Sequence, residues 1–261
     1  MMIAVRGPPP IWIVSLEHAT ERRAKVSDAF ASLDVPFEIV DAVDGAALSA
    51  EQIARYSNWR SLFAMGRPME RGMLGASLSH LSLWERMVAE QVPIAGIFED
   101  DVEPCPELRT VLESLDVLPP DWSVVTLHSL FQWADPQPVD APPIAGEHRI
   151  CTYRRTPLGA QGYLLRLDAA MRLVEIATPI AWPPDELLFR TRPAGLRRYG
   201  IEPPVLVHRE TTSEIRGRAE LVVPARATRR PGDHVVVLAG KVWFRVVRRF
   251  DRWGQRRRAA R

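Results

Sequence analysis

Ile94-Ala95-Gly96-Ile97-Phe98-Glu99-Asp100-Asp101 is a short apolar run that ends in three consecutive acids. A run of this length bounded by polar residues reads as a buried strand. Its acids then emerge together at the carboxyl edge of a sheet, where open α/β folds place their ligands. Three adjacent carboxylates repel one another, and a divalent cation with oxygen ligands, backed by a diphosphate, relieves that repulsion. The same residues also suit a solvated acidic turn ahead of a helix, since Asp and Glu favour helix N-termini. The stretch alone leaves both readings open.

Working outward, strands and helices alternate. Residues 11–16 read as a strand and 20–33 as a helix with Thr20 as its cap; 37–40 form a second strand, followed by the turn Asp44-Gly45. Ser49 caps a helix over 50–63, and a longer one covers 73–91. Beyond the acids come a helix at 107–115, a strand at 122–127, a Pro-rich insertion at 134–146, strands at 150–153 and 161–167, and a helix at 168–177. A strand at 205–207 ends at His208. This order predicts an α/β fold with a mainly parallel sheet and helices on both faces.

Composition agrees with a folded α/β chain: 261 residues, 46% hydrophobic and 25% charged. Cys105 and Cys151 are too few and too far apart for a disulfide framework or a thiolate-rich zinc site, which favours a reducing compartment. The first sixteen residues are broken by Pro8-Pro9-Pro10 and do not form a signal-peptide core, and no apolar run reaches bilayer length. The expectation is a cytoplasmic protein, free or peripheral on the inner face of the cell membrane.

Charge divides the chain. Residues 226–261 hold twelve basic residues against Asp233 and Asp251, a balance of +10, which leaves −8 on residues 1–225 of a chain whose net charge is +2. We therefore expect a catalytic-size domain at 1–225 and a basic C-terminal helical tail at 226–261. Drawn as a helix from 235 to 253, the tail puts Val242, Val246, Phe250 and Trp253 on one side and Lys241, Arg245, Arg248, Arg249 and Arg252 on the other. That pattern fits an anionic membrane surface, and equally a core-packed helix with a solvated basic face. A nucleic-acid partner rests on charge alone, without interleaved aromatic or RNA-binding motifs, and is not expected.

Six collinear blocks carry a family resemblance. Gly66-Arg67-Pro68, then Gly72-Met73-Leu74-Gly75-Ala76-Ser77-Leu78-Ser79-His80 with Trp84, resembles the "GRP…GxLGCxLSHxxxW" block of glycosyltransferase family 25. That family joins bacterial lipopolysaccharide galactosyltransferases and collagen galactosyltransferases. Ile13-Val14-Ser15-Leu16 with Glu21-Arg22-Arg23 resembles the "INLdxxxxR" opening, Ala42-Val43-Asp44-Gly45 "AVDG", and Phe98 to Val102 "LEDDV". Gly159 to Leu164 is similar to "GAxGYLIS", and Pro183-Pro184-Asp185-Glu186 to the "PxD" segment. The likeness spans roughly residues 11–215. Ser15 stands where the family usually has Asn, and Ala76 where it usually has Cys.

The resemblance implies a GT-A-like nucleotide-sugar-binding fold and a metal-dependent, inverting hexosyltransferase. The implied donor is a UDP-sugar, most simply UDP-galactose, and the acceptor a saccharide such as lipopolysaccharide or another envelope glycan. The competing class is a non-catalytic, nucleotide-sugar-binding or membrane-recruited scaffold of the same fold. Asp101 would bind Mn²⁺ or Mg²⁺, with Glu99 or Asp100 on the ribose or a metal-bound water, Glu99 also a metal candidate, and His208 a weaker one. Asp185 would be the general base and Glu186 the runner-up, although the residue pattern alone also suits Asp185 as a helix cap. Arg22 and Arg67 would contact the diphosphate, and Gln161 and Tyr163 would line the sugar pocket. Gly75 would admit the donor to a helix start or allow tight helix packing. His80 lies on an apolar helix face with Met73, Ala76, Trp84 and Met87, so a core histidine is expected there.

Overall fold

The computed structural model describes residues 7–56, 59–66, 69–128, 135–154, 159–178, 180–190 and 195–208. Its centre is an eight-stranded sheet. In chain order the elements are β1 (Ile11–Ser15), α1 (Thr20–Ser32), β2 (Glu38–Asp41), α2 (Ala50–Tyr56), α3 (Trp59–Met65), α4 (Arg71–Ala89) and β3 (Ile94–Glu99). Then come β4 (Val102–Pro104), α5 (Leu108–Glu113), β5 (Val124–Thr126), β6 (Pro136–Pro138), β7 (Arg149–Tyr153), β8 (Gly162–Arg166), α6 (Leu167–Ala177), β9 (Arg198–Glu202) and β10 (Leu206–His208).

The sheet order is β2-β1-β3-β8-β5-β9-β7-β6, with β4 and β10 forming a separate two-stranded ladder. β1 runs parallel to β2 and β3, and β5 parallel to β9; β8 is antiparallel to both β3 and β5, and β7 to both β9 and β6. Following those senses across the sheet, β8 and β7 are reversed and the other six strands share one direction. The sheet is thus mostly parallel, as expected, and the reversed β8 has a consequence for the site: its first residues lie at the same edge as the last residues of β3.

Period-two alternation assigns side chains to the two faces. Trp12 and Val14 of β1, Ala95 and Ile97 of β3, and Tyr163 and Leu165 of β8 pack with Leu74, Leu83, Trp84 and Met87 of α4 and Leu173 of α6. Ile11, Ile13, Phe98, Val125 and Leu164 point to the other side, against Val26 and Phe30 of α1 and Leu108, Val111 and Leu112 of α5. Helices cover both faces because both faces are apolar; each such fully buried side chain contributes roughly 1.5–3 kcal/mol. Phe30 meets Phe98 edge-on at 5.2 Å between ring centres, locking α1 over β3.

Several boundaries differ from the sequence reading. The helix expected over 50–63 is two short ones, α2 and α3, and Thr20 is the first helical residue of α1, whose Ala19 cap makes no side-chain bond. β9 was not anticipated; its Tyr199 and Gly200 follow Arg198 with no clean alternation to mark them. The Pro-rich insertion contains β6, an outer strand, where proline's missing N–H is tolerated. Gly45 and Gly75 explain two of the sequence blocks. A Cβ on Gly45 would stand 1.9 Å from the Arg71 carbonyl oxygen, and one on Gly75 2.6 Å from that of Val43. Gly75 therefore serves close packing of α4 on the 43–45 turn, the second of its two expected roles. Among the described residues no helix is long and apolar enough to cross a membrane. The tail at 226–261, its expected helix and the 225/226 domain boundary lie outside the described residues.

Candidate active site

The carboxyl edge gathers the end of β1, the end of β3, the residues entering β8 and the start of α1. Glu99 closes β3, and its backbone N–H donates to the Gln161 carbonyl at 2.9 Å, so the acids and Gln161 face one another across adjacent strands. Asp100 is buried at 8% exposure. The Ser15 hydroxyl donates to Asp100 Oδ2 at 2.5 Å, and Arg22 Nε approaches the same oxygen at 3.3 Å. Ser15, small enough to sit at 2% exposure, holds this acid from the neighbouring strand. Arg22 reaches it because α1 starts immediately above the end of β1.

Asp101 bears the electrostatic strain of the edge. Burial, then the carboxylates of Glu99 and Asp100, push its carboxyl up to about 8, with Arg22 pulling only weakly the other way. Three acids that cannot all ionise cheaply form an oxygen-only donor set suited to a hard divalent cation. The buried Gln161 Oε1 accepts no hydrogen bond within the protein. The donor chemistry matches the ion that the sequence implies, while the side chains turn to different partners, Glu99 to His80 and Asp100 to Ser15 and Arg22.

On the α4 side, a buried hydrogen-bonded chain leads to Glu99. The Trp84 indole N–H donates to Tyr163 Oη at 2.9 Å, and Tyr163 Oη lies 2.8 Å from His80 Nδ1. Burial pushes the Tyr163 phenol far above its usual range, so its own proton stays on and is directed to Nδ1. With Nδ1 accepting the phenol proton, the ring's N–H is at Nε2, which faces Glu99 Oε1 at 3.4 Å. His80 is the core histidine expected, and it also orients an acid of the edge. Tyr163 corrects the sequence reading: with 0% exposure it cannot itself line a sugar pocket, and it acts by positioning His80.

Asp185 lies in the helical turn after Pro183-Pro184, and Glu186 begins the π-helical segment Glu186–Arg190. Phe189 of that segment packs edge-on against Tyr163 at 6.3 Å and against His128 at 6.5 Å, anchoring it over the His80 side of the edge. His128, at the end of β5 and 2% exposed, has Nδ1 3.2 Å from the Gly162 carbonyl. The sequence reading overlooked His128, which stands in no motif, and noted Ser15 only as a departure from the family's usual Asn. The backbone of His208 pairs with Val102, one residue past Asp101; its side chain lies outside the described residues. Arg67 also lies outside them.

The model of glycosyltransferase family 25 (LPS biosynthesis protein) matches residues 9–188, which include the acidic edge, His80, Tyr163 and Asp185. Procollagen galactosyltransferase 1-A of Xenopus laevis is 26% identical over 189 residues, 68% of this chain and 30% of its own. Procollagen galactosyltransferase 2 of Homo sapiens is 26% identical over 194 residues, 70% of this chain and 30% of its own. Inactive glycosyltransferase 25 family member 3 of Mus musculus is 30% identical over 119 residues, 43% of this chain and 20% of its own. The chain thus spans about a third or less of the length of these relatives. Among solved structures, a glycosyltransferase involved in the glycosylation of the major capsid of PBCV-1 is similar at a TM-score of 0.43 and 11% identity, over 82% of this chain and 98% of that one.

Proposed function

The chain belongs to glycosyltransferase family 25, and on that premise we propose that it moves a hexose, galactose from UDP-galactose, onto a saccharide acceptor with inversion at the anomeric carbon. The observation that carries this reading is the succession of Glu99, Asp100 and Asp101 at the end of β3, in a chain whose residues 9–188 match the family. Galactose is favoured by relatives named as galactosyltransferases, and an envelope-glycan acceptor by the family's description as LPS biosynthesis proteins.

Asp101 and Glu99 would hold Mn²⁺ or Mg²⁺, with His208 a further candidate, and the ion would stabilise charge developing on the departing diphosphate. Asp100, held by Ser15 and Arg22, would bind the ribose, and Arg22 the phosphate. His80, through Nε2–H, keeps the Glu99 carboxylate turned toward the site. Asp185 takes the proton of the acceptor hydroxyl as it attacks the anomeric carbon on the face opposite the diphosphate, with Glu186 the alternative base.

The test is release of UDP from UDP-galactose in the presence of saccharide acceptors, beside UDP-glucose, UDP-N-acetylglucosamine and GDP-mannose, with EDTA or Mn²⁺. Transfer from UDP-galactose should vanish in EDTA and return with Mn²⁺, and Asp185→Asn should cut turnover about 10²- to 10⁴-fold. Full turnover in EDTA would overturn the metal assignment, and a retained anomeric configuration the inverting one. A second reading, a non-catalytic nucleotide-sugar-binding or membrane-recruited protein, is favoured by the inactive relative at 30% identity. Tight UDP-galactose binding without turnover on any acceptor would support it.

A further inference from the structure

Cys105, Glu107 and His148 meet away from the acidic edge, on segments that the transfer reaction does not use. Cys105 follows β4, Glu107 precedes α5 and His148 precedes β7, yet one ligand atom from each lies within 4.8 Å of the others. Cys105 is four residues past Asp101, a reach of at most about 14 Å along extended chain.

The backbone around the cluster is firmly held. Cys105 N–H donates to the Val205 carbonyl at 2.9 Å, and His148 N–H to that of Ala145 at 2.8 Å. His148 is 6% exposed, with Nδ1 2.7 Å from the Pro203 carbonyl oxygen. A carbonyl only accepts, so Nδ1 carries the proton and donates it. That leaves Nε2, which faces Glu107 Oε2 at 3.9 Å, as the ring nitrogen open to a cation. The Cys105 thiol donates to the same carboxylate. Metal-binding histidines are held in this manner, one ring nitrogen donating to a backbone carbonyl and the other left to coordinate. A tetrahedral ion with bonds of about 2.0–2.3 Å spaces its ligands about 3.3–3.8 Å apart. The Glu107–His148 spacing is within a few tenths of an ångström of that range, and rotation of the partly exposed Glu107 side chain can close the remainder.

We propose that Cys105, Glu107 and His148 form a three-ligand site for a transition-metal cation of the zinc class, completed by water, which ties the β4–α5 corner to the turn entering β7. Its thiolate sulfur distinguishes it from the acidic edge, whose carboxylates suit Mn²⁺ or Mg²⁺. Binding replaces the thiol proton, so affinity rises with pH as that proton is released to solvent.

The test titrates Co²⁺ into the reduced, EDTA-stripped full chain. About one equivalent should bind with a thiolate-to-cobalt band in the near ultraviolet, displaced by Zn²⁺. The band should persist in Cys151→Ser and Asp101→Asn and disappear in Cys105→Ser. His148→Ala and Glu107→Gln should each weaken Co²⁺ binding by more than about tenfold, the loss that removal of a mere outer-shell partner already causes. Zn²⁺ should raise Tm in the unaltered chain and not in Cys105→Ser. No thiolate band in the unaltered chain would overturn the site, as would a band that survives in Cys105→Ser. Should Cys105→Ser fail to fold by circular dichroism, Glu107→Gln decides alone, and unchanged affinity there overturns the proposal.

Discussion

Asp101→Asn should stabilise the metal-free protein at alkaline pH while removing the proposed metal ligand. The Asp101 carboxyl stands at about 8 in the native protein against 3.8 in a free carboxyl. Between those values the native state keeps a proton that the unfolded chain has released, so stability falls as pH rises through this window. At about 1.4 kcal/mol per tenfold change in proton affinity, the full displacement amounts to roughly 6 kcal/mol. Glu99 and Asp100 share the repulsion and can relax outward, which brings the expected effect to about 2–3 kcal/mol. In a chain of this size about 2–4 °C accompanies each kcal/mol, so the variant should melt roughly 5–10 °C above the unaltered protein near pH 8.5 in EDTA. Near pH 4 the two should coincide. With saturating Mn²⁺ the order should invert, because a bound cation compensates the ionised carboxylate that Asn lacks. Thermal melts in EDTA across that range decide the matter, and parallel profiles for the two proteins would refute a strained, buried carboxyl at 101.

Tyr163→Phe should cost roughly 2–4 kcal/mol in urea unfolding, because it strands the Trp84 N–H and His80 Nδ1 in the core. It should also lower turnover by loosening Glu99, and unchanged values of both would dismiss the hydrogen-bonded chain. Gly45→Ala should destabilise by roughly 2–4 kcal/mol by the same measurement, since its Cβ would press on the Arg71 backbone; a neutral result would show that the 43–45 turn can yield. Replacing Arg245, Arg248, Arg249 and Arg252 together by Gln should sharply reduce binding to anionic liposomes if the tail is a membrane-surface element, each charge being worth about 1 kcal/mol there. Equal sedimentation of both proteins with those liposomes would remove the membrane argument.

The strand at 94–99, the helices on either side of it and the exit of three acids at its end were legible in the sequence, because each is written in neighbouring residues: an apolar run, a helical period, a change from apolar to charged. The collinear blocks likewise marked one kind of fold, which the family match bears out over residues 9–188, and they singled out Asp185 and Arg22. The partnerships inside the site were not legible. Ser15 meets Asp100 across 85 positions, and His80 meets Tyr163 across 83, through a strand order in which β8 inserts backward between β3 and β5. No local period encodes that insertion, which arises from burying two apolar sheet faces at once. Tyr163 shows the difference plainly: its motif marked it as important, and only the packed sheet made it a buried support instead of a sugar contact. Cys105, Glu107 and His148 carried no shared signal along the chain, since their spacing depends on three loops folding onto one corner; the sequence determined which side chains exist and which elements carry them, and tertiary packing alone decided which of them face each other.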